Sequence, residues 1–411
     1  MTRIKNSALS SASLRALMRF LISFVAFLSL ASCQKLKESP EFTASSHLPQ
    51  YGYQSNFEDY VAETKAWLLE NRAFKTEDRL SELEANLPFE MAPRRPNNKS
   101  VLLVHGLGDS PFSFIDIASH LVTQGYFVRA ILLPGHGSKV ADLNLATLEG
   151  WKATLQHHIA LLKARSDEVW LGGFSTGANL VTSAAYDDEK IAGLILFSPA
   201  FEARSRLLVF SKYVKYFITW ADQDEESNYL RYNSLPMHAA AMFYETVLDV
   251  REKMNDSGFA RPVFILASAN DSIIDTQYLR DRFGRTFTHP GSRLIWQGDD
   301  IADRDPRILT YNMHLPELRI ANGSHMGVLF APENPEYGVN GKLRICDNGQ
   351  SQGNQILCES GAETWRTAYG GDGSDNATSR LTFNPYFAEH MEVLDRVMAS
   401  DSDGARVVES D

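Results

Sequence analysis

Residues 168–181 read Glu168-Val-Trp-Leu-Gly-Gly-Phe-Ser175-Thr-Gly-Ala-Asn-Leu-Val181. The apolar run Glu168–Leu171 predicts a buried strand, and Ala178–Val181 opens a helical pattern. Between them stands Gly173-Phe-Ser175-Thr-Gly177. A Gly-x-Ser-x-Gly pentapeptide alone carries little information. The strand–turn–helix setting gives it meaning, because a sharp turn there lifts a serine hydroxyl out above a sheet. The flanking glycines remove side chains that would clash at that turn.

The same rhythm extends on both sides. Ser100–Val104, Phe127–Leu133, Ile191–Phe197 and Pro262–Ala267 are short apolar runs of the kind found in strands buried on both faces. Helical patterns at 114–124, 151–165 and 178–186 alternate with them. Alternation with short connections predicts a mainly parallel sheet with helices on both faces. A further strand is expected at Ser292–Trp296, a closing helix at Leu381–Met398, and a leading helix from a Ser55-Asn-Phe-Glu58 capping box. Residues 201–259 show aromatic-rich helical stretches and no strand signal, which reads as an inserted lid. Residues 330–380 read as a second, irregular insertion. The divisions expected are thus 1–32 leader, 33–96 tether and helical extension, 97–200 first core part, 201–259 lid, and 260–411 second core part.

A serine hydroxyl becomes a useful nucleophile when a base takes its proton and a carboxylate orients that base. Behind an elbow serine the acid is expected next in the chain, then the histidine. Asp271 follows the strand Pro262–Ala267 and is preferred to Asp275, four residues on. Of His289, His314, His325 and His390, His325 is chosen, because Leu318–Gly327 reads as a strand running into a Gly-flanked loop. An oxyanion needs preorganised N–H donors. Thr176, after the serine, and Leu107, in His105-Gly-Leu-Gly-Asp-Ser-Pro111, are the candidates, with His105 bracing the loop. That loop is no dinucleotide fingerprint, since the third glycine is replaced by Pro111.

Taken jointly, His105-Gly106, Leu133-Pro-Gly-His-Gly137, Gly173–Gly177, Asp271-Ser-Ile-Ile274 and Ser324-His325 resemble the α/β-hydrolase superfamily. The likeness is to its carboxylesterase, monoacylglycerol-lipase and lysophospholipase-like branch, over about residues 98–330 plus the closing helix. It implies acyl-ester hydrolysis through an acyl-enzyme, a lid over the acyl pocket, and no cofactor. Ala178 stands where many relatives have glycine, and the 54-residue interval from Asp271 to His325 is longer than usual. Thioester or peptide cleavage on the same fold, or a non-catalytic binding role, are the alternatives.

The N-terminus has Arg3, Lys5, Arg15 and Arg19, an apolar run Phe20–Leu30, and then Ala31-Ser-Cys33. Eleven apolar residues are too few for a spanning helix of about 20. The pattern is that of a signal peptide, and Leu30-Ala-Ser-Cys33 resembles the bacterial lipobox, which implies a lipid on Cys33 and a place in the cell envelope. By likeness to enterobacterial lipoproteins, Gln34 in place of Asp implies the outer membrane. Of the three cysteines, Cys346 and Cys358 are then left to pair in an oxidising compartment. The chain has 40 Lys+Arg against 51 Asp+Glu; losing four cations with residues 1–32 leaves a net charge of −15. An acidic surface argues against nucleic acid and against electrostatic attachment to anionic lipid. The acidic clusters at 299–303 and 371–376 lack EF-hand spacing, and His157-His158 lacks partners at ligand spacing, so no metal is expected.

Overall fold

The computed structural model describes residues 39–299, 305–371 and 376–400. The leader, Cys33 and the acidic tail lie outside those residues. Strands run in chain order β1 (Phe89–Met91), β2 (Lys99–Val104), β3 (Phe127–Ile131), β4 (Glu168–Phe174), β5 (Ile191–Phe197), β6 (Trp220–Asp222), β7 (Leu235–Pro236), β8 (Val263–Ser268), β9 (Arg293–Gln297), β10 (Ile308–Tyr311), β11 (Trp365–Thr367) and β12 (Thr378–Arg380). Eight of them form one sheet in the order β1-β3-β2-β4-β5-β8-β9-β10. Only β1 is antiparallel; every other neighbouring pair in this sheet is parallel. This is the architecture of the α/β-hydrolase fold.

The central strands explain themselves. After its first residue, β4 is buried throughout, as is β2, because each is covered on both faces and has no solvent side to populate with polar residues. One apolar cluster, including Leu102, Leu171 and Ile265, fills one face of the sheet. A second, including Val101, Trp170 and Phe264, fills the other. The helix after β4, Thr176–Asp187, is buried from Thr176 to Ala185. It packs against the long helix Met237–Asp256, whose Ala239, Met242 and Val250 join the main core.

Four expectations are corrected. The leading helix spans Phe57–Asn71 and is capped by Asn56, whose side chain accepts the Asp59 N–H, and not by Ser55. Within 201–259 there is an antiparallel ribbon of β6 and β7, too short to show a period-2 signal. Residues 318–322 hold no strand: Pro316–Leu318 is a 3-10 turn and Arg319 has φ 50°. The strand preceding His325 is instead β10, on the edge of the sheet and only half-buried. The closing helix starts at Phe387, two residues past Pro385, a residue type that disfavours helical backbone at the position before it. The 330–380 segment carries the helix Gln352–Glu359, a parallel ribbon of β11 and β12, and a Cys346–Cys358 disulfide with Cα atoms 5.7 Å apart.

Candidate active site

The chemistry gathers at the carboxyl ends of β2, β4 and β8, where loops leave the sheet. Ser175 caps the helix after β4 with φ 52° and ψ −115°, a conformation L-residues rarely adopt. Two glycines permit that turn. A Cβ on Gly173 would stand 2.5 Å from the Ala178 nitrogen; one on Gly177 would stand 2.5 Å from His105 O and closer still to Val104 O. The elbow therefore seats directly on the backbone leaving β2.

Asp271 lies three residues past β8, fully buried. Its Oδ1 accepts the Ile273 and Ile274 N–H groups (2.8 and 3.1 Å), and Oδ2 lies 2.6 Å from His325 Nδ1. A carboxylate only accepts, so Nδ1 carries the proton and Nε2 presents a lone pair. Ser175 Oγ lies 3.0 Å from that Nε2. The imidazole is placed from two more sides: Phe174 packs on it at 4.9 Å between ring centroids, and Ser198 Oγ donates to the His325 carbonyl (2.8 Å). Asp275, the competing acid, is elsewhere. Its carboxylate caps the helix Thr276–Thr286 by accepting the Tyr278 N–H. His289, His314 and His390 do not join the line. His390 is buried beside Asn384, and burial lowers its pKa to about 3.

Leu107 and Thr176 both line the cavity over Ser175. Thr176 is the first residue of its helix, so its N–H has no partner within the helix. The loop carrying Leu107 is tied down by two neutral histidines. His105 donates from Nδ1 to Gly106 O (2.8 Å) and accepts the Leu133 N–H at Nε2 (3.1 Å). His136 accepts the Gly108 N–H (3.0 Å). Burial lowers the pKa of His105 to about 4, and burial with the neighbouring His105 holds His136 well below the ordinary range. Both lone pairs therefore stay available at neutral pH. Tyr232, on the loop between β6 and β7, completes the clamp: its N–H donates to Gly108 O (2.6 Å) and its ring stacks on His136. Sequence reading assigned no role to His136 or Tyr232. The Leu133–Gly137 motif could have pointed to the first, while Tyr232 carries no local signal.

The cavity over Ser175 measures about 620 Å³. Leu107, Leu143, Phe174, Leu208 and Phe243 give it an apolar lining. An elbow serine hydrogen-bonded through histidine to a buried aspartate, over the carboxyl edge of a mainly parallel sheet, is the arrangement that serine hydrolases of the α/β-hydrolase fold use.

Parts of the chain are similar to known proteins. Residues 95–223 match the family described as serine aminopeptidase, S33. A stretch of 100 residues is 31% identical to the thermostable monoacylglycerol lipase of Bacillus sp. (strain H-257), covering 24% of this chain and 40% of that relative. The match thus spans two-fifths of the relative's length. Among solved structures, one described as LipS and LipT, two metagenome-derived lipolytic enzymes, is similar at 21% identity and a TM-score of 0.46, over 52% of this chain and 87% of that one. The monoacylglycerol lipase of Paleococcus ferrophilus is similar at 17% identity and a TM-score of 0.41, over 55% and 91%.

Proposed function

We propose that this chain hydrolyses carboxylic esters of lipid origin through an acyl-enzyme on Ser175. The hydrogen-bonded line Asp271–His325–Ser175, opening into a cavity with an apolar side, carries the reading. His325 Nε2 takes the hydroxyl proton as Oγ attacks the acyl carbonyl, and Asp271 stabilises the imidazolium that forms. The Leu107 and Thr176 N–H groups receive the oxyanion, each worth a few kcal/mol in such sites. Collapse breaks the ester C–O bond, and His325 returns its proton to the departing alcohol. Water then attacks the acyl-serine, with His325 again as base, and a fatty acid leaves.

The lipid origin rests on the segment beside the cavity. Leu207, Phe210, Tyr213, Tyr216 and Phe217 are all exposed, while Leu208 between them lines the cavity. Exposed apolar clusters of this kind mark contact surfaces. A lipid on Cys33 would hold the enzyme at an envelope membrane, within reach of such esters. Among the described residues, no helix is long and apolar enough to cross a membrane. The test is a chain-length series of aryl and glyceryl esters, with a thioester and an aminoacyl amide alongside. Preference for medium or long acyl esters, abolished in Ser175→Ala, is expected. Turnover confined to the amide or the thioester would overturn the ester reading.

A further inference from the structure

One wall of this cavity carries charge that cleavage of an ester bond does not use. Arg231, on the loop between β6 and β7, and Arg380, ending β12, both line it. Arg231 Nη1 donates to the sulfur of Met326 (3.7 Å), the residue after His325, so its guanidinium stands beside the reacting centre. Arg380 is held by Asn348 Oδ1 (2.6 Å) and Asp347 O (3.1 Å) and lies 5.0 Å over the Tyr369 ring. Both anchoring residues sit in the loop closed by Cys346–Cys358. Among the described residues neither guanidinium forms an ion pair, although Asp109 faces Arg231 electrostatically. Burial, with Arg231 nearby, lowers the pKa of Arg380 to about 10: two cations share a poorly solvated wall.

Asp222, Asp224 and Asp347 line the same cavity. Partial burial and the neighbouring Asp222, Asp347 and Glu226 raise the Asp224 carboxyl to about 6. Carboxylates gathered in this way gain from a cation, as the guanidinium pair gains from an anion. Asp347 already acts on Arg380, and Asp109 on Arg231, but an uncharged glycerol would engage neither set.

We infer that Arg231, Arg380, Asp222, Asp224 and Asp347 form a head-group subsite for a zwitterionic phosphodiester, making lysophospholipids with a cationic amine the preferred substrates. This rests on the ester-hydrolase reading above. The two guanidiniums take the phosphate, whose oxygens suit their planar donor forks, and the carboxylates take the ammonium. Water adds across the acyl C–O bond alone, giving fatty acid and an intact glycerophosphodiester.

The test compares kcat/KM for lysophosphatidylcholine, lysophosphatidylglycerol and monoacylglycerol of one acyl chain, with a p-nitrophenyl ester as reference, on the full chain in detergent. Wild type should prefer lysophosphatidylcholine to monoacylglycerol by about tenfold or more, the scale of one charge-assisted hydrogen bond. Arg231→Gln should lower that ratio about tenfold, mainly through KM. Among the described residues its guanidinium bonds to Met326 alone, so the variant keeps the fold, where Arg380→Gln would leave the buried Asn348 Oδ1 without the Arg380 donor. Asp224→Asn should shift selectivity severalfold from lysophosphatidylcholine toward lysophosphatidylglycerol. Equal use of monoacylglycerol by wild type, or an unmoved ratio in Arg231→Gln, overturns the subsite. Turnover of the p-nitrophenyl ester in that case leaves the hydrolase reading standing, whereas turnover of no ester at all removes both.

Discussion

Replacing Asp271 by Asn separates the role of its charge from the role of its shape. The Asn carbonyl can keep both bonds that Oδ1 accepts from Ile273 and Ile274, so the loop after β8 holds its form. The other contact changes sign. Where Oδ2 accepts the His325 Nδ1 proton at 2.6 Å, an Asn amide presents a donor. The imidazole answers by moving its proton to Nε2, which then faces Ser175 as a donor and cannot accept the hydroxyl proton. Asp271 is fully buried, so solvent does not stand in for the lost acceptor. The wrong tautomer and the unstabilised imidazolium together cost serine hydrolases about 10⁴-fold in kcat, or about 5 kcal/mol in the barrier. The assay is kcat on a soluble aryl ester, with a melting curve as the control for folding. Asp275→Asn is the companion variant. Asn caps a helix about as well as Asp, since its carbonyl still accepts the Tyr278 N–H, so this variant should leave both stability and kcat near wild type. An Asp271→Asn variant that keeps more than about a tenth of wild-type kcat, or loss of activity in Asp275→Asn in its place, would refute this role for the buried carboxylate.

Three further outcomes follow from the packing and the titrating groups. Gly177→Ala, which in a helix would ordinarily gain up to about 1 kcal/mol, should here destabilise by about 1–3 kcal/mol or more and slow serine labelling. The new methyl meets the backbone carbonyls of Val104 and His105, which cannot rotate away; an unchanged melting temperature would contradict the elbow contact. His158 is buried with Arg129 donating to its Nδ1 (3.2 Å), and burial, then Arg129, holds its pKa far below 6.5. The unfolded chain therefore takes up that proton first as pH falls below about 6.5, and the folded state loses about 1.4 kcal/mol per pH unit from this group. His158→Phe should remove that part of the slope in urea melts between pH 6 and 4.5, and equal slopes would refute it. Cys346→Ser opens a 12-residue separation and should cost about 3 kcal/mol by loop entropy, read as a lower urea midpoint; no shift would mean the bond adds nothing.

What could be read from the chain and what could not divide along a physical line. Strands β2, β4 and β5 are covered on both faces, so their residues form unbroken apolar runs that mark them in sequence. Ser175 was legible because its neighbours Gly173 and Gly177 answer a steric demand made within a few residues. The order serine, acid, histidine then narrowed the field to Asp271 and His325. β10 escaped because an edge strand with Ile308, Leu309, Thr310 and Tyr311 all half-buried has neither an alternating nor a continuous apolar pattern. Tyr232 escaped for a different reason. Its bond to Gly108 spans more than a hundred residues, and only the folded chain brings the β6–β7 loop over the loop after β2. Arg231 and Arg380 belong to the same class, since a charged residue in an irregular segment looks the same whether it meets solvent or a cavity.

The claim on which the rest depends is that Ser175 is an activated nucleophile. Intact-mass analysis after treatment with a fluorophosphonate tests it directly, on the purified chain in detergent and on its Ser175→Ala variant. The account predicts one adduct on the wild type, mapping to the peptide that holds Ser175, and none on the variant. A folded wild type that takes up no reagent, or an adduct that persists in Ser175→Ala, would contradict it.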